Sequence, residues 1–206
     1  MPRLYESFAP VGTLLPETAA ALGLPQGVTV CAGAGDNAAA AVGTGTVSTG
    51  AAHADSRCNI SLGTSGTIFI SSEKFGVDAT NGLHAFAHAD GGWHLMGCML
   101  SAASCNKWLC EEILKTSDFA GEQADITDEK LGENHVYFLP YLMGERSPIN
   151  DTNARGTFTG MTMDTSRSDL VQAVLEGVAF AIRDSFEVAK SLGIEIPRSN
   201  ICGGGA

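Results

Sequence analysis

The pattern of hydrophobic and polar positions predicts several short strands in the first half of the chain. Residues 28–32 form a run rich in β-branched side chains, which is typical of a buried strand. Two further pairs of apolar segments are each separated by a glycine-containing turn: residues 59–62 with 67–71, and residues 84–88 with 93–96. These two pairs are therefore predicted to be hairpins.

Helices are predicted between and after these strands. Residues 14–24 and the alanine-rich residues 38–42 are typical of short helices, although no strand is predicted ahead of the first for it to pack on. Apolar side chains recur at helical spacing over residues 99–115. A longer helix begins after Ser166, which has capping-box spacing to an aspartate, and ends at Gly193. Hairpins that alternate with long helices indicate an α/β domain with a mixed sheet.

The remainder of the second half is less regular. Residues 118–133 are acidic and weakly patterned, which predicts a surface helix or loop, and residues 136–142 predict a strand interrupted by proline. Residues 144–160 are rich in Gly, Pro and Asn and predict a long ordered loop. Within it, Glu145 and the neighbouring arginine are interpreted as an ion pair that fixes the loop rather than as an active-site clamp. A last strand is predicted at residues 200–202.

Composition and charge narrow the class of protein. The chain has 206 residues, of which 44% are hydrophobic, so it can bury one sizeable core. It carries 12 Lys and Arg against 23 Asp and Glu, a formal net charge of −11, without a basic cluster, which argues against a nucleic-acid partner. A nucleotide site is still compatible with this charge, because backbone N–H groups and a metal ion can hold phosphates.

The cysteines and the hydropathy pattern indicate a cytoplasmic protein. None of the 6 cysteines lies in a C-x-x-C pair, which favours reduced thiols in the cytosol. No stretch approaches the roughly 18 consecutive apolar residues of a membrane helix. The first residues also lack the apolar core of a signal peptide. Secretion and membrane insertion are therefore not expected.

Asp36 is the leading catalytic candidate. It follows the predicted strand at residues 28–32, in a glycine-bracketed turn, and reacting groups in α/β proteins lie at the carboxyl ends of strands. There Asp36 would accept the proton of a hydroxyl that attacks a γ-phosphate, and Asn37 would orient that hydroxyl. Taken alone, the turn supports equally well a structural role for Asp36 as a turn former or helix N-cap.

The same turn also matches a dinucleotide-binding fingerprint. Residues 33–38 read Gly-x-Gly-x-x-Ala, with a strand before and a helix after. Two observations disfavour a dehydrogenase. Asp36 would repel the pyrophosphate that this loop binds, and Asp55, the acidic residue at a suitable distance, lies in a predicted loop rather than at a strand end.

Two glycine-rich turns are candidate nucleotide sites, although ordinary turns share their composition. The Gly-Thr-Ser-Gly turn at residues 63–66 offers backbone N–H groups and two hydroxyls, and the glycines at 203–205 would let a ligand lie against the backbone. His84 and His88 have the spacing of a helix-borne metal pair but lie in a predicted strand. We interpret these histidines as structural and predict no structural metal.

Taken in order, these pieces resemble the FGGY carbohydrate kinases, and among them the xylulokinases. The likeness covers nearly all of the chain from about residue 15 onward, and its specificity lies in the order and spacing of its segments. Residues 156–176 also carry the spacing of the second signature of that family. The matching segments are GAGDNAAAAVGTG, SLGTSGTIF, WHLMGCMLSAASC, FLPYLMGERSP, GTFTGMTMDTSRSDLVQAVLE and ICGGGA.

The resemblance implies a fold, a domain division and an activity. The fold is a ribonuclease H-like lobe of the actin-like, hexokinase-like ATPase superfamily, with a mixed sheet and flanking helices. Residues 1–30 would be the end of a first, sugar-binding domain, and residues 31–206 a second, ATP-binding domain that lacks its last helices. The implied reaction transfers the γ-phosphoryl group of ATP to the 5-hydroxyl of D-xylulose. Mg²⁺, ATP and a ketose sugar are the implied partners, and a homodimer is compatible with it.

The resemblance also implies the site residues. The catalytic aspartate of the family lies in the segment that matches Asp36, with Asn37 beside the sugar. The ATP-binding positions that follow by the same matching are Gly63, Thr64, Ser65, Ala103, Lys107, Gly203, Gly204 and Gly205. Two alternatives stay open: an isolated nucleotide-binding lobe without catalysis, and a kinase for another sugar or polyol. Residues 48–57 are longer than the family connection and are interpreted as an insertion or a sequence artefact.

Overall fold

The computed structural model describes residues 2–47 and 58–206. The proposed insertion at residues 48–57, with Asp55, lies outside the described residues. Beside the elements below, a π-helical turn (Leu109–Ile113) follows α3 and a 3₁₀ turn spans Asp128–Lys130. The strands and helices are β1 (Pro10–Thr13), α1 (Pro16–Ala21), β2 (Thr29–Cys31), α2 (Asp36–Gly43), β3 (Cys58–Leu62), β4 (Gly66–Ser72), β5 (His84–Ala87), β6 (Trp93–Met99), α3 (Ala103–Trp108), α4 (Phe119–Gln123), β7 (Tyr137–Leu139), β8 (Thr157–Thr159), α5 (Arg167–Ser191) and β9 (Ser199–Cys202).

A mixed sheet with the strand order β5-β6-β4-β3-β9 forms the centre of the fold. Neighbours are antiparallel except β3 and β9, which run parallel. Side chains alternate between the two faces of β4: Ile68 and Ile70 pack in the core that includes Ile182 of α5, whereas Phe69 contacts a histidine cluster. The predicted hairpins and the α/β class with a mixed sheet and flanking helices are confirmed.

The segment before the sheet differs from the prediction. The strand expected to be buried at residues 28–32 is β2, and its residues are exposed. It pairs antiparallel with β1, whose proline and glycine hide its strand pattern in the sequence. A two-stranded ribbon leaves both faces of β2 uncovered. For this reason the β-branched run correctly predicted a strand but wrongly predicted that it is buried. A dinucleotide fold needs a parallel sheet at this strand, so the antiparallel partner also removes that alternative.

The helix predicted to begin at residue 99 begins at Ala103 instead. Met99 is the last residue of β6 and pairs with Gly66 of β4. The apolar residues at the end of β6 have a spacing that also fits one face of a helix. The hydrogen bonds between β6 and β4 make them part of the strand. The predicted loop at 144–160 likewise ends in a strand, because β8 pairs with β7 through Phe138 and Phe158.

The long helix α5 has the ends that its sequence predicts. The Ser166 side chain accepts the Asp169 N–H, and the Asp169 side chain accepts the Ser166 N–H in return, which completes the capping box. Gly193 follows the helix at a φ of +77°. None of the helices in the described ranges combines the length and apolar character of a membrane span.

Gly177→Ala should destabilise the protein, although alanine is the better helix former. A Cβ at Gly177 would lie 2.2 Å from the carbonyl oxygen of Phe138, so α5 would have to move away from β7. We expect the free energy of unfolding in urea to fall by about 1–3 kcal/mol. The control is Gly43→Ala in α2, where no atom lies within 4 Å of the added Cβ. Equal stability of the two variants would contradict the close packing.

An aromatic stack on the other face of the sheet contains the buried His94. The ring lies between Phe69, with centroids 4.0 Å apart, and Phe86, with centroids 5.3 Å apart. Its Nδ1 is buried without a hydrogen-bond partner among the described residues. Burial, reinforced by the nearby His88, lowers the pKa of His94 from 6.5 to about 4.

Stability should therefore depend on pH in the acid range. Because the folded-state pKa of His94 is lowered, its neutral form stabilises the fold above pH 6.5, and this contribution is lost as the pH falls towards about 4. Within that window the free energy of unfolding should fall by roughly 1.4 kcal/mol per pH unit. His94→Phe should flatten the profile, and substitution of the exposed His135 by Gln should not. Parallel profiles for wild type and His94→Phe would contradict this assignment.

Candidate active site

The turn at residues 63–65 between β3 and β4 exposes backbone N–H groups. Gly63 donates its N–H to the Ser65 carbonyl at 3.0 Å, which closes the turn. Thr64 and Ser65 are exposed, and within the described ranges neither their N–H groups nor their hydroxyls donate to a protein acceptor. Adjacent free N–H groups with hydroxyls beside them suit an oxyanion such as a phosphate.

The start of α3 holds this turn by its carbonyl groups. The Ala103 N–H donates to the Gly63 carbonyl at 3.0 Å, and the Ala102 N–H donates to the Thr64 carbonyl at 3.0 Å. The Ser104 hydroxyl donates to the same Thr64 carbonyl at 2.7 Å. Because these contacts use the carbonyl oxygens, the turn is fixed while the N–H groups of Thr64 and Ser65 stay available to a ligand.

The glycines after β9 lie against the same turn. The Gly205 N–H donates to the Leu62 carbonyl at 2.9 Å. Gly203 has a φ of +102°, and a Cβ there would lie 2.4 Å from that carbonyl oxygen, so the position requires glycine. At Gly205 a Cβ would lie 2.7 Å from the Cβ of Ala103. The two glycine-rich turns and the start of α3 are therefore in mutual contact.

These segments line a cleft of about 950 Å³. Side chains of α5 and β9, including Val174, Val178 and Ile201, give the cleft an apolar side. Ser65 and Gly203 belong to the same two turns but are not among the lining residues. The lining includes six of the eight predicted ATP-binding residues: Gly63, Thr64, Ala103, Lys107, Gly204 and Gly205.

Lys107 carries an exposed positive charge at this cleft. Its side chain is 68% exposed, and its Nζ lies 3.9 Å from the Glu111 carboxylate. An ion pair this long and this exposed is weak, so the ammonium group remains accessible to an anionic ligand.

Asp36 and Asn37 lie beside the same end of β4. Asp36 is exposed at the start of α2, and its Oδ1 accepts the Asn37 N–H at 2.7 Å. The Thr67 hydroxyl donates to the Asn37 side-chain oxygen at 3.5 Å, one residue after the Gly66 that ends the turn. The helix of the predicted base and the strand that follows the predicted phosphate turn are thus in contact, although they come from separate parts of the chain.

Two residues that the sequence did not single out for this role hold the segment after α2. His88 contacts the Thr46 carbonyl through Nε2 at 2.9 Å, and the Asn200 side chain donates to the Thr44 carbonyl at 2.9 Å. His88 is a structural residue, as predicted. Its link to the helix of Asp36 has no local sequence signal, because the contact joins positions 42 residues apart.

Glu145 is buried, with 2% of its surface exposed. Its Oε1 accepts the N–H of Leu100 at 2.9 Å and that of Arg146 at 2.7 Å. Burial raises the pKa of this carboxyl, although the two N–H groups oppose the shift. The predicted ion pair with Arg146 is wrong. The carboxylate fixes the loop through backbone N–H groups because the guanidinium would have to be buried with it.

A comparison with protein families matches residues 58–206 to the FGGY family of carbohydrate kinases, C-terminal domain. The chain belongs to this family. As a member of this family it has the fold of the actin-like ATPases, which confirms the predicted fold class. The matched range contains both glycine-rich turns and the start of α3, and Asp36 and Asn37 precede it.

Individual relatives of this FGGY chain are xylulose kinases. It is 43% identical over 211 residues to the xylulose kinase of Escherichia coli, and 42% identical over 207 residues to that of Klebsiella pneumoniae. The crystal structure of a "xyloylose kinase" from Brucella ovis superposes with a TM-score of 0.88 at 43% identity and covers the whole chain. The chain spans 41% of the length of each of these three proteins.

Proposed function

We propose that this chain supplies the ATP-binding lobe and the hydroxyl-activating base of an ATP-dependent kinase for D-xylulose. One observation carries the proposal: the turn with the free N–H groups of Thr64 and Ser65 borders the cleft, and Thr67 just after it contacts Asn37 in the helix that begins with Asp36. The xylulose kinases among the relatives support the choice of sugar.

The residues fit MgATP as a substrate. The apolar side of the cleft suits the adenine ring, and the 63–65 turn suits the phosphates. The net charge of −11 leaves few basic side chains for the phosphates, so Mg²⁺ that enters with the nucleotide supplies charge neutralisation. Lys107 is the cation that this chain adds at the cleft.

Asp36 performs the proton chemistry. Its exposed carboxylate accepts the proton of the 5-hydroxyl as that oxygen attacks the γ-phosphorus, and Asn37 orients the sugar. Phosphoryl transfer depends mainly on positioning and charge stabilisation, which is what a rigid turn and a fixed helix provide. We also place the protein in the cytoplasm, since all its cysteines are free thiols.

The test uses calorimetry on this chain and turnover by a chimera. This chain should bind MgATP and not NADH. The chimera carries it in place of the matching 41% of the Escherichia coli xylulose kinase, and should release ADP with D-xylulose faster than with glycerol or D-gluconate. Binding of NADH in place of MgATP would overturn the proposal. ATP binding by a folded chimera without turnover would favour the alternative of a non-catalytic lobe.

A further inference from the structure

The carboxylate of Glu145 accepts the first backbone N–H after the last residue of β6 that pairs with β4. Met99 is the last residue of β6 that pairs with β4. The next N–H, that of Leu100, donates to Glu145 Oε1 at 2.9 Å instead of to a strand. A hydrogen bond to a carboxylate is stronger than one to a neutral acceptor, so the end of the strand is held firmly.

The residues that follow Leu100 contact the 63–65 turn directly. The N–H groups of Ala102 and Ala103 hold the carbonyls of Thr64 and Gly63, each at 3.0 Å. Ala102 is fully buried and cannot shift sideways without disturbing the core. The position of Leu100 therefore sets the position of the two N–H donors that fix the turn.

Glu145 is itself fixed by its loop. The Glu145 N–H donates to the Asp151 carbonyl at 2.8 Å, and the Ser147 N–H donates to the Cys98 carbonyl of β6 at 3.0 Å. Gly144 has a φ of +76°, and a Cβ there would lie 2.7 Å from the Thr152 carbonyl oxygen, so the loop passes too closely for any other residue. The loop thus places the carboxylate against β6 with little freedom.

We propose that Glu145 is a positioning residue for the nucleotide phosphates. By holding the Leu100 N–H it keeps residues 102–104 engaged with the carbonyls of the 63–65 turn, and leaves the N–H groups of Thr64 and Ser65 for the ligand. The inference rests on the proposed nucleotide site. Glu145 touches no substrate, and it acts through Leu100.

If Glu145 only stabilised the fold, its removal would not affect the contacts of the 63–65 turn more than other contacts. The test therefore measures those contacts directly. In the free chain, Glu145→Ala should raise the hydrogen-exchange rates of the Ala102 and Ala103 amides by about tenfold or more, the effect of losing one hydrogen bond to a charged group. Glu145→Gln keeps an oxygen for the Leu100 N–H and should restore slow exchange to within about threefold. The MgATP dissociation constant should follow the same order, rising about tenfold or more for Glu145→Ala.

The matched control is Asn134→Ala. Asn134 is also buried, and its side chain also bonds two backbone groups, donating to the Asp169 carbonyl at 2.7 Å and accepting the Val136 N–H at 3.0 Å. It lies away from the cleft, so its loss should lower stability without speeding exchange at Ala102 or weakening MgATP.

The exchange readout separates the two proposals. Unchanged exchange at Ala102 and Ala103 in Glu145→Ala, or equal acceleration in Asn134→Ala, would overturn the positioning role even if MgATP binds. Faster exchange confined to Glu145→Ala, in a chain that does not bind MgATP, would support the link through Leu100 and reject the nucleotide site.

Discussion

Asp36→Asn should lower the turnover number of the chimera with D-xylulose by about 10²–10⁴-fold, the usual contribution of a general base. The MgATP dissociation constant should stay within about threefold, because the proposed role of Asp36 is to act on the sugar hydroxyl and not on the nucleotide. Asparagine keeps the side-chain oxygen that accepts the Asn37 N–H, so α2 should begin at the same residue. The measurement is a coupled ADP-release assay together with calorimetry.

The control for this substitution is Glu17→Gln, which removes an exposed carboxylate from the first turn of α1. It should leave turnover unchanged. Turnover by Asp36→Asn at the wild-type rate would show that Asp36 is not the base. Asp36 would then have only a structural role, as a turn former or helix N-cap.

Gly203→Ala should weaken MgATP binding by roughly 5- to 150-fold, equivalent to the 1–3 kcal/mol cost of a strained backbone. The added Cβ would lie 2.4 Å from the Leu62 carbonyl oxygen at a φ of +102°, and neither atom can yield without moving β3 or β9. The Gly205 N–H, which donates to that same oxygen at 2.9 Å, would lose its partner. The glycine turn should then separate from the phosphate turn.

Gly204→Ala is the neighbouring control, since no atom lies within 4 Å of a Cβ there. Because Gly204 lines the cleft, the comparison uses the free energy of unfolding, which should fall for Gly203→Ala and stay near wild type for Gly204→Ala. Equal stability of the two variants, with MgATP affinity intact in Gly203→Ala, would show that the turn is not held as described.

The elements near the active site could be predicted from the sequence because their signals are local. The hairpin around the 63–65 turn has alternating side chains and turn residues within a dozen positions, and the capping box of α5 needs only Ser166 and Asp169. Order and spacing of such local pieces also led to the family. The roles of Asp36 and of the ATP-binding residues remain proposals that the variants above test.

Other features depend on contacts between distant residues and left no local trace. Glu145 bonds Leu100 across 45 positions, and His88 contacts Thr46 across 42. The exposure of β2 follows from its pairing with β1 alone. The strand β1 could not be predicted from the sequence, because Pro10 and Gly12 are unfavourable in strands. For Met99 the local sequence is ambiguous, because an apolar residue there is compatible with the end of a strand and with the face of a helix. Its pairing with β4 makes it part of a strand.

The parallel pairing of β3 with β9 has a consequence for folding order. Cys58 lies opposite Ser199, so the two turns of the cleft meet only when residues 58–61 and 199–202 have paired. Contacts this far apart in the chain form late and slowly. A nascent chain would complete the hairpin at residues 58–72 on its own, yet would lack the second turn of the cleft until residues 203–205 are synthesised. The proposed nucleotide would then stabilise only molecules in which β3 and β9 have paired, and so would select them from folding intermediates.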